Sequence, residues 1–140
     1  MMRWMLAAVL LLAICAIGIR LVTAGPAAAP ATAPATSAAD AEEFAALIGL
    51  PNHVLIDVRT PAEHAAGYLQ GTDKLIDFDS PDFSEKLGQL PRDKTYLIYC
   101  RSGRRSGLAA SEMSSLGFQH VIHLQGGVQA WQKASKPLIK

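Results

Sequence analysis

Three arginines follow one cysteine within five residues, in the run Cys100-Arg101-Ser102-Gly103-Arg104-Arg105. A thiol attacks as the thiolate, and neighbouring cations and helix N-termini favour that form. Gly103 gives the backbone the freedom to curl a short loop with its N–H groups turned inward. A helix starting at Ser106 adds unpaired N–H groups and the positive end of its dipole. The expectation is a small anion cradle with a nucleophilic sulfur at its base, and no general base is needed to activate it. A single thiol taken alone is as well explained by a buried structural cysteine. The glycine, the arginines and the strand–loop–helix setting weigh against that explanation here.

A strand must deliver such a loop. Thr95–Tyr99 is β-branched, aliphatic and aromatic, the strongest strand signal in the chain, and Cys100 follows it directly. The pattern around it alternates between strand and helix. Ala41–Ile48 has apolar residues at helical spacing, with Asp40 as its cap and Gly49 as its stop. His53–Val58 reads as a buried strand, and Pro61–Ala66 as a short helix with a Thr60/Glu63 capping box. Lys74–Phe78 is a weaker strand and Pro81–Leu87 a short helix. The spacing predicts a helix over Ser106–Leu116, a strand over His120–Leu124, a turn at Gly126-Gly127 and a last helix over Val128–Lys133. Apolar strands separated by helices imply an α/β domain with a mostly parallel sheet covered on both faces. Ligands of such sheets bind beyond the C-terminal ends of the strands, where Cys100 stands.

Composition narrows the remaining classes. The chain has 140 residues, 50% of them hydrophobic, which is one domain of ordinary size and far from a disordered composition. The net charge of +1 gives no field for holding nucleic acid. Cys15 and Cys100 are the two cysteines, too few for a disulfide scaffold or a zinc cage of CxxC pairs. At the N-terminus, Arg3 precedes an uncharged run from Trp4 to Ile19, and Val22 and Ala24 form a small-residue pattern. Residues 1–24 are therefore expected to be a signal peptide cleaved after Ala24, or an N-terminal membrane anchor reaching through residues 4–24. Sixteen apolar residues span about 24 Å of a roughly 30 Å hydrocarbon core, and snorkelling of Arg20 would extend that reach. Both outcomes export the domain, to the periplasm or to the periplasmic side of the inner membrane. Residues 25–39 are an Ala/Pro-rich linker with prolines at 26, 30 and 34, and the domain is expected over residues 40–140. Loss of Arg3 and Arg20 from the 13 basic residues would leave 11 against 12 acidic, and Cys100 as the lone thiol.

Four segments resemble one family in order and spacing. Cys100-Arg101-Ser102-Gly103-Arg104-Arg105-Ser106 is similar to the active-site loop of rhodanese-type sulfurtransferases. Asp57-Val58-Arg59-Thr60-Pro61-Ala62-Glu63 resembles the family's D-V-R-x-x-x-E segment. Gly67-Tyr68-Leu69-Gln70-Gly71-Thr72 resembles G-H-I-x-G-A, departing at Tyr68, Gln70 and Thr72. Leu124-Gln125-Gly126-Gly127-Val128-Gln129-Ala130-Trp131 resembles L-x-G-G-x-x-A-W. The match covers residues 40–136. It implies a rhodanese-like fold with a five-stranded, mostly parallel sheet and helices on both faces. It also implies transfer of a sulfane sulfur from thiosulfate or a similar anionic donor to a thiophilic acceptor such as cyanide or a thiol, through a Cys100 persulfide. Within that resemblance the N–H groups of residues 101–105 hold the anionic sulfur, Arg105 shapes the loop, and Arg101 and Arg104 attract the donor. A monomer without cofactor or metal is expected. A relay module passing persulfide to one partner protein is the alternative. Related phosphatases carry C-x5-R; Arg105 makes C-x4-R here, which favours a sulfur ligand over a phosphoryl group.

Other residues carry plainer expectations. Asp57 and Arg59 end a strand near the site and are expected to support it by hydrogen bonds or an ion pair. Glu63 reads as a capping carboxylate. His53, His64, His120 and His123 lack ligand spacing, and His120 and His123 should point to opposite faces of their strand. Phe118 and Trp131 read as core.

Overall fold

A computed structural model describes residues 35–140. Residues 1–24, expected to be a signal peptide or anchor, and residues 25–34 of the expected linker lie outside the described residues. In chain order the elements are β1 (Ala35–Ala39), α1 (Ala41–Leu47), β2 (His53–Asp57), α2 (Pro61–Ala66), β3 (Lys74–Leu75), α3 (Phe83–Gly88), β4 (Thr95–Tyr99), α4 (Arg104–Ser115), β5 (His120–Leu124) and α5 (Gly127–Lys133). All five strands run parallel in one sheet, in the order β1-β5-β4-β2-β3. β2 and β4 are adjacent and in register, Leu55 opposite Leu97 and Asp57 opposite Tyr99. Both strands therefore end at the same level, and Cys100 stands one step past it.

Strand alternation splits the core into two layers. Ile56, Ile98, Tyr96 and Val121 face α3 and α4, meeting Phe83, Leu87, Ala109, Ala110 and Met113. Leu55, Leu97, Tyr99 and Leu124 face α1 and α5, meeting Phe44, Val128 and Trp131. Phe118 and Trp131 are core residues, as their sequence context implied. α2 differs from the other helices because none of its residues is buried. Its N-terminus is set by the capping box: Thr60 Oγ1 accepts from Glu63 N–H at 3.3 Å, and Glu63 Oε2 accepts from Thr60 N–H at 3.1 Å.

Element ends shift by one or two residues at α1, β2, α3 and α5, and three further boundaries differ from the sequence expectation in ways that bear on the domain's edge and the site. Ala35–Ala39, read as the end of the linker, is an edge strand paired with β5 from Ala35↔His120 to Ala39↔Leu124. Four of its five residues are exposed, so backbone bonds hold it and no burial pattern marks it in the sequence. The strand expected over Lys74–Phe78 keeps two residues as regular strand. The chain beyond still donates to β2 and its end, Ile76 N–H to Asp57 O at 2.9 Å and Phe78 N–H to Val58 O at 3.1 Å. The helix expected from Ser106 begins at Arg104, which moves two arginines from the loop into a helical first turn.

Candidate active site

Cys100 is delivered by β4 and covered completely, with 0% of its surface exposed. Burial alone is the mark of an inert core cysteine. What distinguishes this one is its partner. The N–H of Gly103 donates to Cys100 Sγ at 3.0 Å, closing the loop around the sulfur. Gly103 is the N-cap of α4 with φ +93°, and a Cβ there would stand 2.8 Å from the backbone nitrogen of Gly126. The amides of α4's first turn have no carbonyl behind them within the helix, which leaves them free to hold an anion.

The loop is clamped from the far side by the start of α5. Val128 N–H donates to Cys100 O at 2.9 Å and Gln129 N–H to Arg101 O at 3.1 Å. Gly127 makes this approach possible: with φ +58°, a Cβ would lie 2.4 Å from Cys100 O and 2.6 Å from the carbonyl of Arg101. The sequence marked Gly127 as a turn residue, and the structure makes it the contact surface of the loop's carbonyls.

The arginines divide into two kinds. Arg101 and Arg104 are exposed and form no ion pair among the described residues. Arg105 is committed. Its Nη2 donates to Glu63 Oε1 at 2.8 Å and its Nη1 to Glu63 Oε2 at 3.0 Å, with Asp79 at 3.7 Å. The hydrogen bond from Arg105 holds the Glu63 carboxyl down at about 2, against the opposing effect of burial and with help from the Thr60 amide. Arg105 is pushed up from its ordinary value, by Glu63 above all and in part by Cys100. The first turn of α4 thus carries two cations and no acid of its own, against the dipole's preference. A cationic helix N-terminus is unfavourable empty and favourable with an anion in it.

Asp57 and Arg59 answer to a different geometry. Asp57 is 0% and Arg59 4% exposed. Arg59 Nε donates to Asp57 Oδ1 at 2.9 Å, and Nη2 donates to Asp57 Oδ2 at 2.6 Å and to Gly67 O at 2.8 Å. His64 Nδ1 lies 2.9 Å from the same carboxylate, and its ring stacks on Tyr68 at 4.2 Å. Burial works against the charge of Arg59, and the bonds and charge of Asp57 raise it above its ordinary value nonetheless. The ion pair expected for these two residues is present, but it ties β2 to α2 and the Gly67 turn rather than to the cysteine loop. Its link to the loop runs through Tyr99, whose ring faces the Arg59 guanidinium at 5.4 Å. Burial, and then the charge of Asp57, push the Tyr99 hydroxyl up to about 12. That hydroxyl accepts from Leu69 N–H at 3.3 Å and pairs with Thr72 Oγ1 at 2.9 Å. Thr72, one of the three departures from the family pattern, thereby touches the residue before Cys100.

A cleft of about 300 Å³ opens beside the loop, lined by Arg59, Glu63, Arg101, Val128, Gln129 and Gln132 among others. Among the described residues no group of three or more His, Cys, Asp or Glu side chains is arranged to hold a metal. His120 is exposed, while His123 faces α4, its imidazole 3.5 Å from where a Cβ on Gly107 would be. Sequence reasoning missed Glu63 as the partner of Arg105 and Gly127 as the loop's backing. The one signal for Glu63 was an acid in the first turn of a short helix, carrying the sign opposite to three arginines.

A family model described as a rhodanese-like domain matches residues 40–134. A curated relative named sulfurtransferase, from Allochromatium vinosum, is 35% identical over 61% of this chain and 78% of its own length. The protein named probable adenylyltransferase/sulfurtransferase MoeZ of Mycobacterium tuberculosis is 40% identical over 59% of this chain, which spans 21% of that relative. Among solved structures, a rhodanese-related protein from Thermoplasma volcanium superimposes with a TM-score of 0.62 at 28% identity, covering 74% of this chain and 97% of that one.

Proposed function

This chain belongs to the rhodanese-like domain family, and from that premise we propose that it transfers a sulfane sulfur from thiosulfate, or a donor of like charge, through a Cys100 persulfide. Sulfur transfer in general is what the relatives support; donor, acceptor and cellular place are our reading. The observation that carries it is the sulfur of Cys100 receiving the Gly103 N–H at 3.0 Å in front of an arginine-bearing helix N-terminus. Cys100 as thiolate attacks the outer sulfur of thiosulfate. The S–S bond of the donor breaks, and sulfite leaves with its electron pair. The resulting persulfide anion sits where backbone N–H groups and the helix dipole favour negative charge. An acceptor then attacks the outer sulfur and Cys100 departs as thiolate. Cyanide gives thiocyanate, and a thiol gives a new persulfide. Arg101 and Arg104 raise the local concentration of the anionic donor at the mouth of the site.

The sulfur is covered, so donor and acceptor reach it only when the loop opens. That burial favours a second reading, in which a partner protein opens the loop and receives the persulfide, with little small-molecule turnover. We also propose that the domain works outside the cytoplasm, in the periplasm or tethered on its side of the inner membrane. The charge pattern of residues 1–24 supports this.

Thiocyanate formation from thiosulfate and cyanide by the purified full chain tests the first reading. Turnover in the parent that falls at least about 10³-fold in Cys100→Ser is the expected outcome. Absence of turnover from folded, reduced protein rejects the small-molecule enzyme and leaves the relay.

A further inference from the structure

Glu63 makes more bonds than a helix cap requires. The capping box uses one carboxylate oxygen, Oε2, which accepts from the N–H and hydroxyl of Thr60 at 3.1 Å each. The same oxygen and its partner Oε1 also receive both terminal nitrogens of Arg105, 42 positions along the chain. The two side chains are 28% and 17% exposed, so solvent weakens this pair less than it would a surface pair. A guanidinium fork is the side chain best shaped to grip a tetrahedral oxyanion by two parallel bonds. Arg105 lies in the first turn of α4, two residues past Gly103, whose N–H bonds the Cys100 sulfur at 3.0 Å. With its fork on Glu63, that grip is already occupied and its charge already balanced.

We propose that Glu63 is a specificity-determining positioning residue. By occupying the Arg105 fork, it leaves the cradle to backbone N–H groups, which suit a single soft sulfur and hold inorganic oxyanions such as phosphate weakly. The inference deepens the sulfurtransferase reading and rests on it: the cradle takes only the transferred sulfur, while the sulfite end of the donor stays at the mouth with Arg101 and Arg104. A free guanidinium beside the thiol would grip phosphate in two parallel bonds and compete with the sulfur donor.

The test reads phosphate binding without needing sulfur transfer. Alkylation of Cys100 by iodoacetamide is followed by mass spectrometry on the Cys100 peptide of the full chain, over a series of inorganic phosphate concentrations. Gln also closes a capping box, so Glu63→Gln keeps α2 while taking from the Arg105 fork its bidentate carboxylate, with Asp79 at 3.7 Å as the remaining acid. The expected result is that phosphate protects Cys100 in Glu63→Gln at about tenfold lower concentration than in the parent, and that Glu63→Gln/Arg105→Gln loses this gain. Unchanged protection in a folded Glu63→Gln overturns the proposal, as does a gain that survives in the double variant. Glu63→Asp, one methylene too short to span both cap and fork, is the second variant and should show a smaller gain of the same sign. If the parent forms no thiocyanate, the functional reading fails by itself, and the protection series still reports on Glu63.

Discussion

Two charged regions stand at the same level of the sheet, one past β2 and one past β4, and they treat charge in opposite ways. At the end of β2, Asp57 and Arg59 are buried and satisfied by each other, by Gly67 O and by His64. At the end of β4, Cys100 is buried but its surroundings present exposed Arg101 and Arg104 to solvent, on a helix start with no acid in its first turn. The first region is internally paired apart from the edge of Arg59 that lines the cleft, and it acts as a strut. The second is left electrostatically incomplete, which is what a site for a passing anion requires. Glu63 is the member of the β2 side that reaches across, and of the three loop arginines it balances only Arg105.

The contrast is broken most severely by filling the space behind the cysteine loop. In Gly127→Ala the new Cβ would meet Cys100 O at 2.4 Å and the Arg101 carbonyl at 2.6 Å, in backbone that cannot yield without losing the Val128 and Gln129 bonds. The expected cost is about 4 kcal/mol, from steric clash combined with a left-handed backbone. Urea unfolding measures it. A near-neutral change would mean that the loop is not held by α5.

Next in size is the strut. Asp57→Ala leaves the Arg59 guanidinium buried with only Gly67 O as partner, and removing one member of a buried pair costs about 3 kcal/mol or more. Since no bond of this pair reaches Cys100, and Asp57→Ala leaves in place the Arg59 side chain that lines the cleft, the folded variant at low temperature should keep most of its sulfur transfer. Loss of activity without loss of stability would show that the β2 cluster belongs to the chemistry after all.

Acid separates the bridging residue from both. The Glu63 carboxyl is held at about 2, below its ordinary 4.5, so its contribution to stability is fully present above pH 4.5 and is lost as the pH falls through about 2. The parent should therefore exceed Glu63→Gln in stability near neutrality, by about 1 kcal/mol for a partly exposed pair. The two unfolding curves should converge between those pH values. A constant offset down to pH 2 would show that the ion pair is not its source.

How legible these regions were in the sequence follows the same division. The strut's strand and the delivering strand were visible because each is a local run of buried residues; Thr95–Tyr99, His120–Leu124 and Pro61–Ala66 have the bounds the pattern gave them. Cys100 and its loop were visible because the chemistry is concentrated in consecutive residues. β1 was not, because Ala35–Ala39 offers small exposed side chains and is defined by a partner strand 85 positions away in the ladder with β5. The start of α4 lies two residues earlier than the pattern places it because Arg104 and Arg105 are poor first-turn residues by dipole arguments. Glu63 satisfied its local motif so well that nothing in the segment called for a second partner. The long-range roles of Glu63 and Gly127 exist only once β2, β4 and β5 are side by side.

The smallest effect bears most directly on the contrast, since it asks whether incompleteness at β4 is a cost carried for binding. Arg104 is exposed in the first turn of α4 and pairs with no acid among the described residues. A cation at that end opposes the dipole, and alanine is the better helix former, so Arg104→Ala should raise stability by about 0.3 kcal/mol. The same change removes one of the two exposed charges at the mouth, so the thiosulfate KM should rise about threefold at low ionic strength while kcat is held. Both differences should shrink as salt rises and the Debye length falls to a few ångströms. Stability and donor capture moving in opposite directions is the signature of a residue kept for its ligand. If thermal unfolding and KM instead worsen together, Arg104 is part of the scaffold, and the cationic field that draws the donor would have to come from Arg101 alone.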